Sequence, residues 1–245
     1  MPDEPPRDAL VLAAGRGTRM KSLTDEIPKG MLEVAGRPLL EWIVEAIRDA
    51  GISRLLVVTG YHADRIEDHF GDGTGFGVEI RYRRQEVRDG TARALLLGRA
   101  DIGDRPFLLA WGDILTDRRN YPGLFRTFAD SACDAVLSVN RVDDPYRGAA
   151  VYTDDGGKIL RIVEKPPRGS STTNWNNAGF AVFRPIIFDY AERVPRSPRG
   201  EHEIPDAVSA MIADGRDVRA FPLEGFWSDV GTPEDLERVS ALLRR

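Results

Sequence analysis

The chain has 245 residues, of which 42% are hydrophobic and 30% charged, and its formal charge is −5. Cations and anions alternate along it rather than forming blocks, which argues against a binding surface for nucleic acid or an anionic membrane. Its one cysteine, Cys133, excludes an internal disulfide framework and a four-ligand zinc cluster. A chain of this length favours one globular α/β unit.

The N-terminal residues 1–8 are acidic and rich in proline, and they lack the basic region with which a secretory signal begins. No segment of the sequence approaches the apolar length needed to cross a membrane. We therefore expect a cytoplasmic protein.

The first predicted strand ends in a glycine-rich turn. The apolar run Ala9 to Ala14 gives way to Gly15 and Gly17, with Arg16 and Arg19 among them. Such a turn can bring bare backbone N–H groups against phosphate oxygens. The turn is therefore our candidate for a phosphate-binding loop.

Two familiar phosphate loops do not fit this turn. The dinucleotide fingerprint requires a third glycine where the chain has Met20, and the ATPase loop requires a Gly-Lys-Ser or Gly-Lys-Thr end that is absent. Instead, Lys29 follows Arg19 after ten residues, behind Pro28. A glycine turn that carries its own cations suits a triphosphate whose charge changes during a reaction.

Strands and helices alternate after this turn as far as residue 139. Such alternation indicates an α/β fold with a doubly wound, Rossmann-like, mostly parallel mixed sheet flanked by helices. Ligands bind beyond the carboxyl ends of the strands in such sheets, and Gly15, Gln85 and Asp113 all follow predicted strands. These three segments therefore predict one crevice. The strands are predicted over 54–59, 78–83, 106–111 and 135–139, and the helices over 39–50, 63–70, from Gly90 onward, and over 121–129.

The pattern changes after Arg147. Strands are predicted over 149–152, 158–163 and 178–183 with no helix between them, which indicates a smaller β layer that holds a second ligand. Helices over 204–213 and 233–243 close the chain, and the second of them begins with Thr232 as its N-cap.

Two aspartates are candidate metal ligands. Asp113 follows an apolar strand and Asp229 lies in the stretch 227–233, and both stand near glycines. Mg²⁺ prefers one or two protein carboxylates together with phosphate oxygens. A single Gly-Asp pair more often caps a turn, but the joint placement of both aspartates with the glycine loop favours the metal.

Polar motifs in the second half of the chain each have two interpretations. Glu164 and Lys165 could be a solvated ion pair before a proline turn. Alternatively, Glu164 could accept hydrogen bonds from sugar hydroxyls while Lys165 binds a phosphate. Asn177 either forms an Asx turn or reads a hydroxyl with its amide, and Gly148 either forms a bulge or lets a backbone N–H approach a ligand. The three histidines, His62, His69 and His202, lack metal-ligand spacing.

Seven motifs, taken in order, resemble those of the sugar-1-phosphate nucleotidylyltransferases, also called nucleotide-sugar pyrophosphorylases. The closest appearance is to the glucose-1-phosphate thymidylyl- and uridylyltransferases, because Ser197 to Ile204 with Asp206 also matches that branch. The seven motifs are Leu12 to Arg19, Pro28-Lys29, Gln85 with Gly90-Thr91-Ala92, Gly112-Asp113, Glu164-Lys165-Pro166, Asn177-Ala178-Gly179, and Trp227 to Glu234.

This resemblance implies a role for each matching residue. The nucleotide would be bound in the half of about 1–140, and the sugar phosphate in the half of about 141–245 of a single nucleotidyltransferase domain. The implied catalytic residues are Arg19, Lys29 and Asp113; the nucleotide-binding residues are Leu12, Ala13, Ala14, Gly15, Gly17, Thr18, Gln85, Gly90 and Thr91; the sugar-phosphate residues are Gly148, Glu164, Lys165 and Asn177; and Mg²⁺ is held by Asp113 and Asp229.

The predicted reaction joins a nucleoside triphosphate to a sugar 1-phosphate and releases pyrophosphate. Gln85, five residues before Gly90, favours dTTP or UTP, because an amide and backbone groups can match the edge of uracil or thymine. Two alternatives stay open: a non-catalytic subunit that senses nucleotide sugars, and a cytidylyltransferase for another phosphorylated alcohol. Neither nucleic acid nor membrane is an expected partner, and a homo-oligomer stays open.

Overall fold

The computed structural model describes residues 4–244. Its strands are β1 Asp8–Leu12, β2 Glu33–Val34, β3 Arg37–Pro38, β4 Arg54–Thr59, β5 Glu79–Arg84, β6 Phe107–Trp111, β7 Ile114–Thr116, β8 Ala135–Arg141, β9 Ala149–Thr153, β10 Ile159–Glu164, β11 Trp175–Phe183, β12 Val218–Pro222 and β13 Trp227–Asp229. Its α-helices are α1 Leu39–Asp49, α2 Ala63–Phe70, α3 Thr91–Leu96, α4 Arg99–Ile102, α5 Asn120–Ser131, α6 Ile187–Arg193, α7 Ile204–Ala213 and α8 Pro233–Leu243.

The centre of the molecule is a mixed sheet in which β1 lies between β4 and β6. The order of its first strands is β5-β4-β1-β6, all parallel, and Leu12 at the end of β1 lies opposite both Val58 and Trp111. This order places the crossover point of the chain at the carboxyl end of β1, where open α/β sheets bind ligands. The predicted sheet and its flanking helices are confirmed.

Both faces of the sheet are covered, which explains why its central parallel strands β1, β4 and β6 are nearly continuous apolar runs. Residues 55–58 of β4 are all buried. The side chains of β1 alternate between two cores: Ala9 and Val11 pack on the face covered by α1, α2 and α5, whereas Leu10 packs on the face covered by α3, α6 and α7.

The strands after Arg147 extend this sheet and are continuous with it. β11 pairs antiparallel with β6 along one edge and with β8 along the other, while β9 and β10 form an antiparallel pair beside it. β11 begins three residues earlier than the predicted strand. Its register with β8 shifts between Asn177 and Ala181, where Gly179 has a φ of 87°. The sequence around this irregularity resembles a turn, so the first residues of β11 were not predicted as strand.

Several short helices and strands were not predicted from the sequence. These elements are α6, β12, the paired strands β2 and β3, and the paired strands β7 and β13. α8 spans the predicted residues, and its first turn is closed by a capping box in which Thr232 and Asp235 bond reciprocally. Among the residues that the structure describes, no helix is both long and apolar enough to cross a membrane.

Candidate active site

The glycine loop lies between the ends of two neighbouring strands. Ala13 N–H donates to the Val58 carbonyl at 2.8 Å, and Gly112 N–H donates to the Leu12 carbonyl at 2.9 Å. Gly17 has a φ of 68°, and a Cβ at this position would lie 3.1 Å from Cβ of Lys29. Glycine is therefore needed here both for its left-handed backbone and for the close passage of the lysine stem.

The loop presents backbone donors to a cleft of about 590 Å³. No residue in the described part of the chain accepts a hydrogen bond from the N–H groups of Gly15, Arg16 or Gly17, so these donors are available to an anion. The cleft brings together every residue predicted to bind the nucleotide: Leu12, Ala13, Ala14, Gly15, Gly17, Thr18, Gln85, Gly90 and Thr91, with Lys29 and Asp113 at one end.

The two predicted metal ligands are brought together by a ladder of three residue pairs between β7 and β13. β7 pairs antiparallel with β13, so that Asp229 lies opposite Ile114, and Val230 N–H donates to the Asp113 carbonyl at 2.9 Å. Residues 116 positions apart in the chain therefore become neighbours. Trp227 Nε1–H donates to the Ala178 carbonyl at 2.8 Å and holds β13 against β11.

The Lys29 ammonium lies between the two carboxylates. Its Nζ is 2.6 Å from Asp113 Oδ2 and 3.5 Å from Asp229 Oδ1, and its side chain is only 11% exposed. Arg19 approaches the same centre from solvent, with Nη2 3.6 Å from Asp229 Oδ2 and 59% of its side chain exposed. The site thus combines two cations with two anions at the end of the phosphate loop.

The donor set fits a magnesium ion. Asp229 Oδ1 is buried without a hydrogen-bond partner among the described residues. Burial raises the pKa of Asp229, and the neighbouring Asp113 raises it further, against the opposing effects of Lys29 and Arg19. The described residues contain no cluster of three or more potential metal ligands, so Mg²⁺ would take its other oxygens from phosphate and water.

The far end of the first cleft is built by Gln85 and Gly90. Gln85 Nε2–H donates to the Gly90 carbonyl at 3.0 Å, which leaves the side-chain oxygen Oε1 free to accept from a ligand. Gly90 has a φ of 118°, and a Cβ there would lie 2.2 Å from the His202 carbonyl oxygen. Thr91, predicted as a nucleotide ligand, also accepts from Ile204 N–H at 3.0 Å.

A second cleft of about 790 Å³ adjoins the first. Gly148, Glu164, Lys165 and Asn177, the four residues predicted to bind the sugar phosphate, all line it, as do Asp113 and Asp229. Asn177 and Gly148 also form contacts within the protein. Asn177 Oδ1 accepts from Gly179 N–H at 3.3 Å, as the Asx-turn interpretation predicts. Gly148 N–H donates to the Pro145 carbonyl at 3.1 Å and closes the 3₁₀ turn Pro145–Arg147, which is not the bulge considered for it.

Arg199 is a site residue whose contacts the sequence analysis did not predict. Its Nη2 is 3.2 Å from Glu164 Oε1 and also donates to the buried Glu203, and its side chain is 37% exposed. The backbone of the following turn is fixed by His202, whose N–H donates to the Asp89 carbonyl and whose own carbonyl accepts from Ala92 N–H. The loop carrying Arg199 is therefore tied to the segment that carries Gly90.

Comparison with known proteins decides the family. The Nucleotidyl transferase family model matches residues 8–245. The chain belongs to the nucleotidyl transferase family. It is 37% identical over 238 residues to UTP–glucose-1-phosphate uridylyltransferase AglF of Haloferax volcanii, covering 96% of each chain. It is 35% identical to glucose-1-phosphate thymidylyltransferase of Streptomyces griseus, covering 96% of this chain and 65% of that protein.

Solved structures agree with this assignment. A structure titled as a putative glucose-1-phosphate thymidylyltransferase from Bacillus anthracis in complex with a sucrose superposes with a TM-score of 0.88 at 28% identity, covering 97% of this chain and 95% of that one. A UDP-glucose pyrophosphorylase complexed with UDP-glucose shares the fold, with a TM-score of 0.89 at 24% identity over 98% of each chain. The predicted resemblance to the nucleotidylyltransferases is confirmed.

Glu164 of the second cleft has a carboxyl whose pKa lies near neutrality. Burial raises the pKa of Glu164 to about 7; Lys165 and Arg199 lower it, and Glu203 and Asp206 raise it. Because this pKa exceeds the ordinary value of 4.5, the folded protein holds a proton that the unfolded chain releases between these two values. Stability should therefore fall as pH rises through this window.

The Glu164→Gln variant tests this effect. Between pH 5 and 8 we expect the free energy of unfolding of the wild type to fall by on the order of 1–3 kcal/mol more than that of the variant. Urea unfolding of both proteins at the two pH values measures the difference. An identical pH dependence in the two proteins would show that Glu164 is ionised throughout.

Proposed function

We propose that the protein transfers the nucleotidyl group of a nucleoside triphosphate to a sugar 1-phosphate, giving a nucleotide sugar and pyrophosphate with the help of Mg²⁺. The observation that carries this proposal is the position of Lys29 between Asp113 and Asp229, at the junction of the two clefts. A triphosphate in the first cleft and a phosphate in the second would meet at this charged centre.

The proposed reaction needs no protein base. An oxygen of the sugar phosphate, already an anion, attacks the α-phosphorus, the bond from that phosphorus to the α–β bridging oxygen breaks, and the electron pair leaves with pyrophosphate. Catalysis then consists of alignment and charge neutralisation. This agrees with a site that contains Arg, Lys and Asp, while the three histidines line neither cleft.

Each charged residue has a separate part in this proposal. The loop N–H groups and Arg19 bind the triphosphate, and Lys29 neutralises charge at the α-phosphate and the departing pyrophosphate. Asp113 and Asp229 would hold Mg²⁺, which neutralises phosphate charge when bound. In the second cleft Lys165 and Arg199 are cations placed to meet the sugar phosphate.

We also propose the predicted division of labour within a single domain, with the nucleotide bound by about residues 1–140 and the sugar phosphate by about 141–245. Asp229 is then the contribution of the second half to the metal centre.

Since nucleoside triphosphates are cytoplasmic metabolites, we place the reaction in the cytoplasm. The two alternative functions have less support: a sensor needs no cation between paired carboxylates, and the lining of the second cleft by Glu164 and Asn177 suits a ligand with several hydroxyls.

The base preference follows from the free acceptor of Gln85. The N3–H of uracil or thymine can donate a hydrogen bond to Oε1 of Gln85, whereas N3 of cytosine and N1 of adenine are acceptors and cannot. An unpaired polar edge costs about 1–3 kcal/mol. We therefore expect UTP and dTTP to exceed CTP, GTP and ATP by about tenfold or more in kcat/KM.

Pyrophosphate release across the five nucleotides, each with a series of sugar 1-phosphates, tests both the reaction and the base. Gln85→Ala should reduce the preference for UTP over CTP. Glu86→Ala is the matched control, because Glu86 is exposed and lines neither cleft. A clear preference for GTP or ATP, or unchanged discrimination in Gln85→Ala, would contradict the assignment of the base.

A further inference from the structure

Arg16 stands inside the glycine loop, and the proposed function gives it no role. Its neighbours Gly15 and Gly17 line the first cleft, and the side chain of Arg16 is exposed and lines the same cleft. Within the described part of the chain, the guanidinium forms no hydrogen bond and no ion pair. Its N–H groups are therefore available to a ligand of the loop.

The other cations near the loop are already paired with carboxylates. Lys29 lies between Asp113 and Asp229 at one end of the first cleft. Arg19 is paired with Asp229 and lines the second cleft. Because these two cations and two carboxylates balance one another, the phosphates of a triphosphate that lie farther along the loop call for an additional cation.

The ring of Tyr61 holds the guanidinium of Arg16. Cζ of Arg16 lies 5.2 Å from the centroid of this ring, within the range of a cation–π interaction. The ring is itself fixed, because its hydroxyl donates to the Asp25 carbonyl at 2.7 Å. A guanidinium stacked in this way uses its face and keeps the N–H groups of its edge, which match a phosphate in a bidentate manner.

We propose that Arg16 binds the β- and γ-phosphates of the nucleoside triphosphate, and that Tyr61 is the residue that positions it. This inference rests on the proposed function for the identity of the ligand. In that reaction the β- and γ-phosphates leave together as pyrophosphate, so a guanidinium on them also neutralises charge on the leaving group. Arg16 would thus supplement Lys29, whose charge acts nearer the α-phosphate.

Calorimetric titration with UTP and with UMP, each with Mg²⁺, tests the contact, because UMP has no β- or γ-phosphate. Arg16→Met removes the charge, and we expect it to weaken binding of UTP by about tenfold or more and of UMP by less than about twofold. Arg16→Lys keeps the charge without the planar fork and should lose less. Arg126→Met is the matched control, since Arg126 is exposed on α5 and lines neither cleft; it should bind both nucleotides as the wild type does.

Two substitutions of Tyr61 separate its ring from its hydroxyl. Tyr61→Leu removes the ring and should weaken binding of UTP by about twofold to fivefold, with binding of UMP unchanged. Tyr61→Phe keeps the ring, loses the hydrogen bond to Asp25, and should stay closer to the wild type. An equal loss in the two variants would assign the effect to the hydroxyl and overturn the positioning role.

The reverse reaction gives an independent readout. With UDP-glucose and pyrophosphate as substrates, Arg16→Met should raise KM for pyrophosphate by about tenfold and change KM for UDP-glucose by less than about twofold. Unchanged affinity for UTP in a folded Arg16→Met protein, or an equal loss for UTP and UMP, would overturn the proposal. A wild type that binds UTP but releases no pyrophosphate with any sugar 1-phosphate would overturn the proposed function alone, because the comparison of UTP with UMP still tests Arg16.

Discussion

Replacing either Asp113 or Asp229 by asparagine is expected to lower kcat by ~100-fold or more, because phosphate charge is then left uncompensated in the transition state. The two carboxylates lie within 3.5 Å of the same ammonium, and a ladder of three residue pairs fixes their separation. Neither substitution changes the size of the side chain. The fold should therefore survive, and circular dichroism and thermal unfolding check this.

The measurement is steady-state turnover at saturating Mg²⁺ and substrates. Asp130→Asn is the matched control, since Asp130 is an exposed residue of α5 that lines neither cleft, and it should retain wild-type turnover. Near-normal turnover in either Asp113→Asn or Asp229→Asn would contradict the two-carboxylate metal site.

Removal of the Lys29 charge should have an effect of similar size. Lys29→Met keeps the length of the stem and removes the ammonium, and we expect kcat to fall by ~100-fold or more while KM for the sugar 1-phosphate changes much less, since this charge matters most as pyrophosphate departs. Arg19→Ala should lower kcat less, because Arg19 is largely exposed and solvent screens its charge.

Lys158→Met provides the control for this series, because Lys158 is exposed and lies outside both clefts. A Lys29→Met enzyme that keeps its kcat and instead loses affinity for the sugar 1-phosphate would place Lys29 on the acceptor and away from the leaving group.

The sequence was sufficient to predict the framework of the sheet. The strands over 54–59 and 106–111 were readily predicted, because a short apolar run bounded by polar or glycine residues is typical of a buried strand. The glycine loop, Gln85 and Asp113 could be placed near one another because each follows a parallel strand, and the carboxyl ends of parallel strands share one edge.

The joining of Asp113 to Asp229 could not be derived from local patterns. It depends on β7 and β13, strands of three residues each, whose pairing is set by contacts between distant parts of the chain. Their positions near glycines and the resemblance to a family predicted that the two aspartates act together, but neither predicted the strand pairing that joins them. The contacts of Arg199 could not be predicted from local patterns either, because they depend on a loop that is held by hydrogen bonds to residues 89–92.

The need for a glycine can also depend on a residue that is distant in the sequence. Gly148 is a recognisable motif residue, but its requirement for glycine comes from Asn176, whose Oδ1 would lie 2.1 Å from a Cβ at that position. No local rule connects Gly148, which directly precedes β9, with Asn176 on the neighbouring strand β11. Local patterns therefore predicted most of the longer elements and their order, whereas the short elements and the contacts within the site required the structure.

The central claim is that the charged centre of Lys29, Asp113 and Asp229 transfers a nucleotidyl group between the ligands of the two clefts. Phosphorus-31 NMR of the wild-type enzyme with UTP, glucose 1-phosphate and Mg²⁺ tests it most directly. We predict that the signals of UDP-glucose and pyrophosphate grow together in equal amounts as those of UTP and glucose 1-phosphate decline. Unchanged substrates, or hydrolysis of UTP to UDP and inorganic phosphate with no consumption of glucose 1-phosphate, would contradict the account.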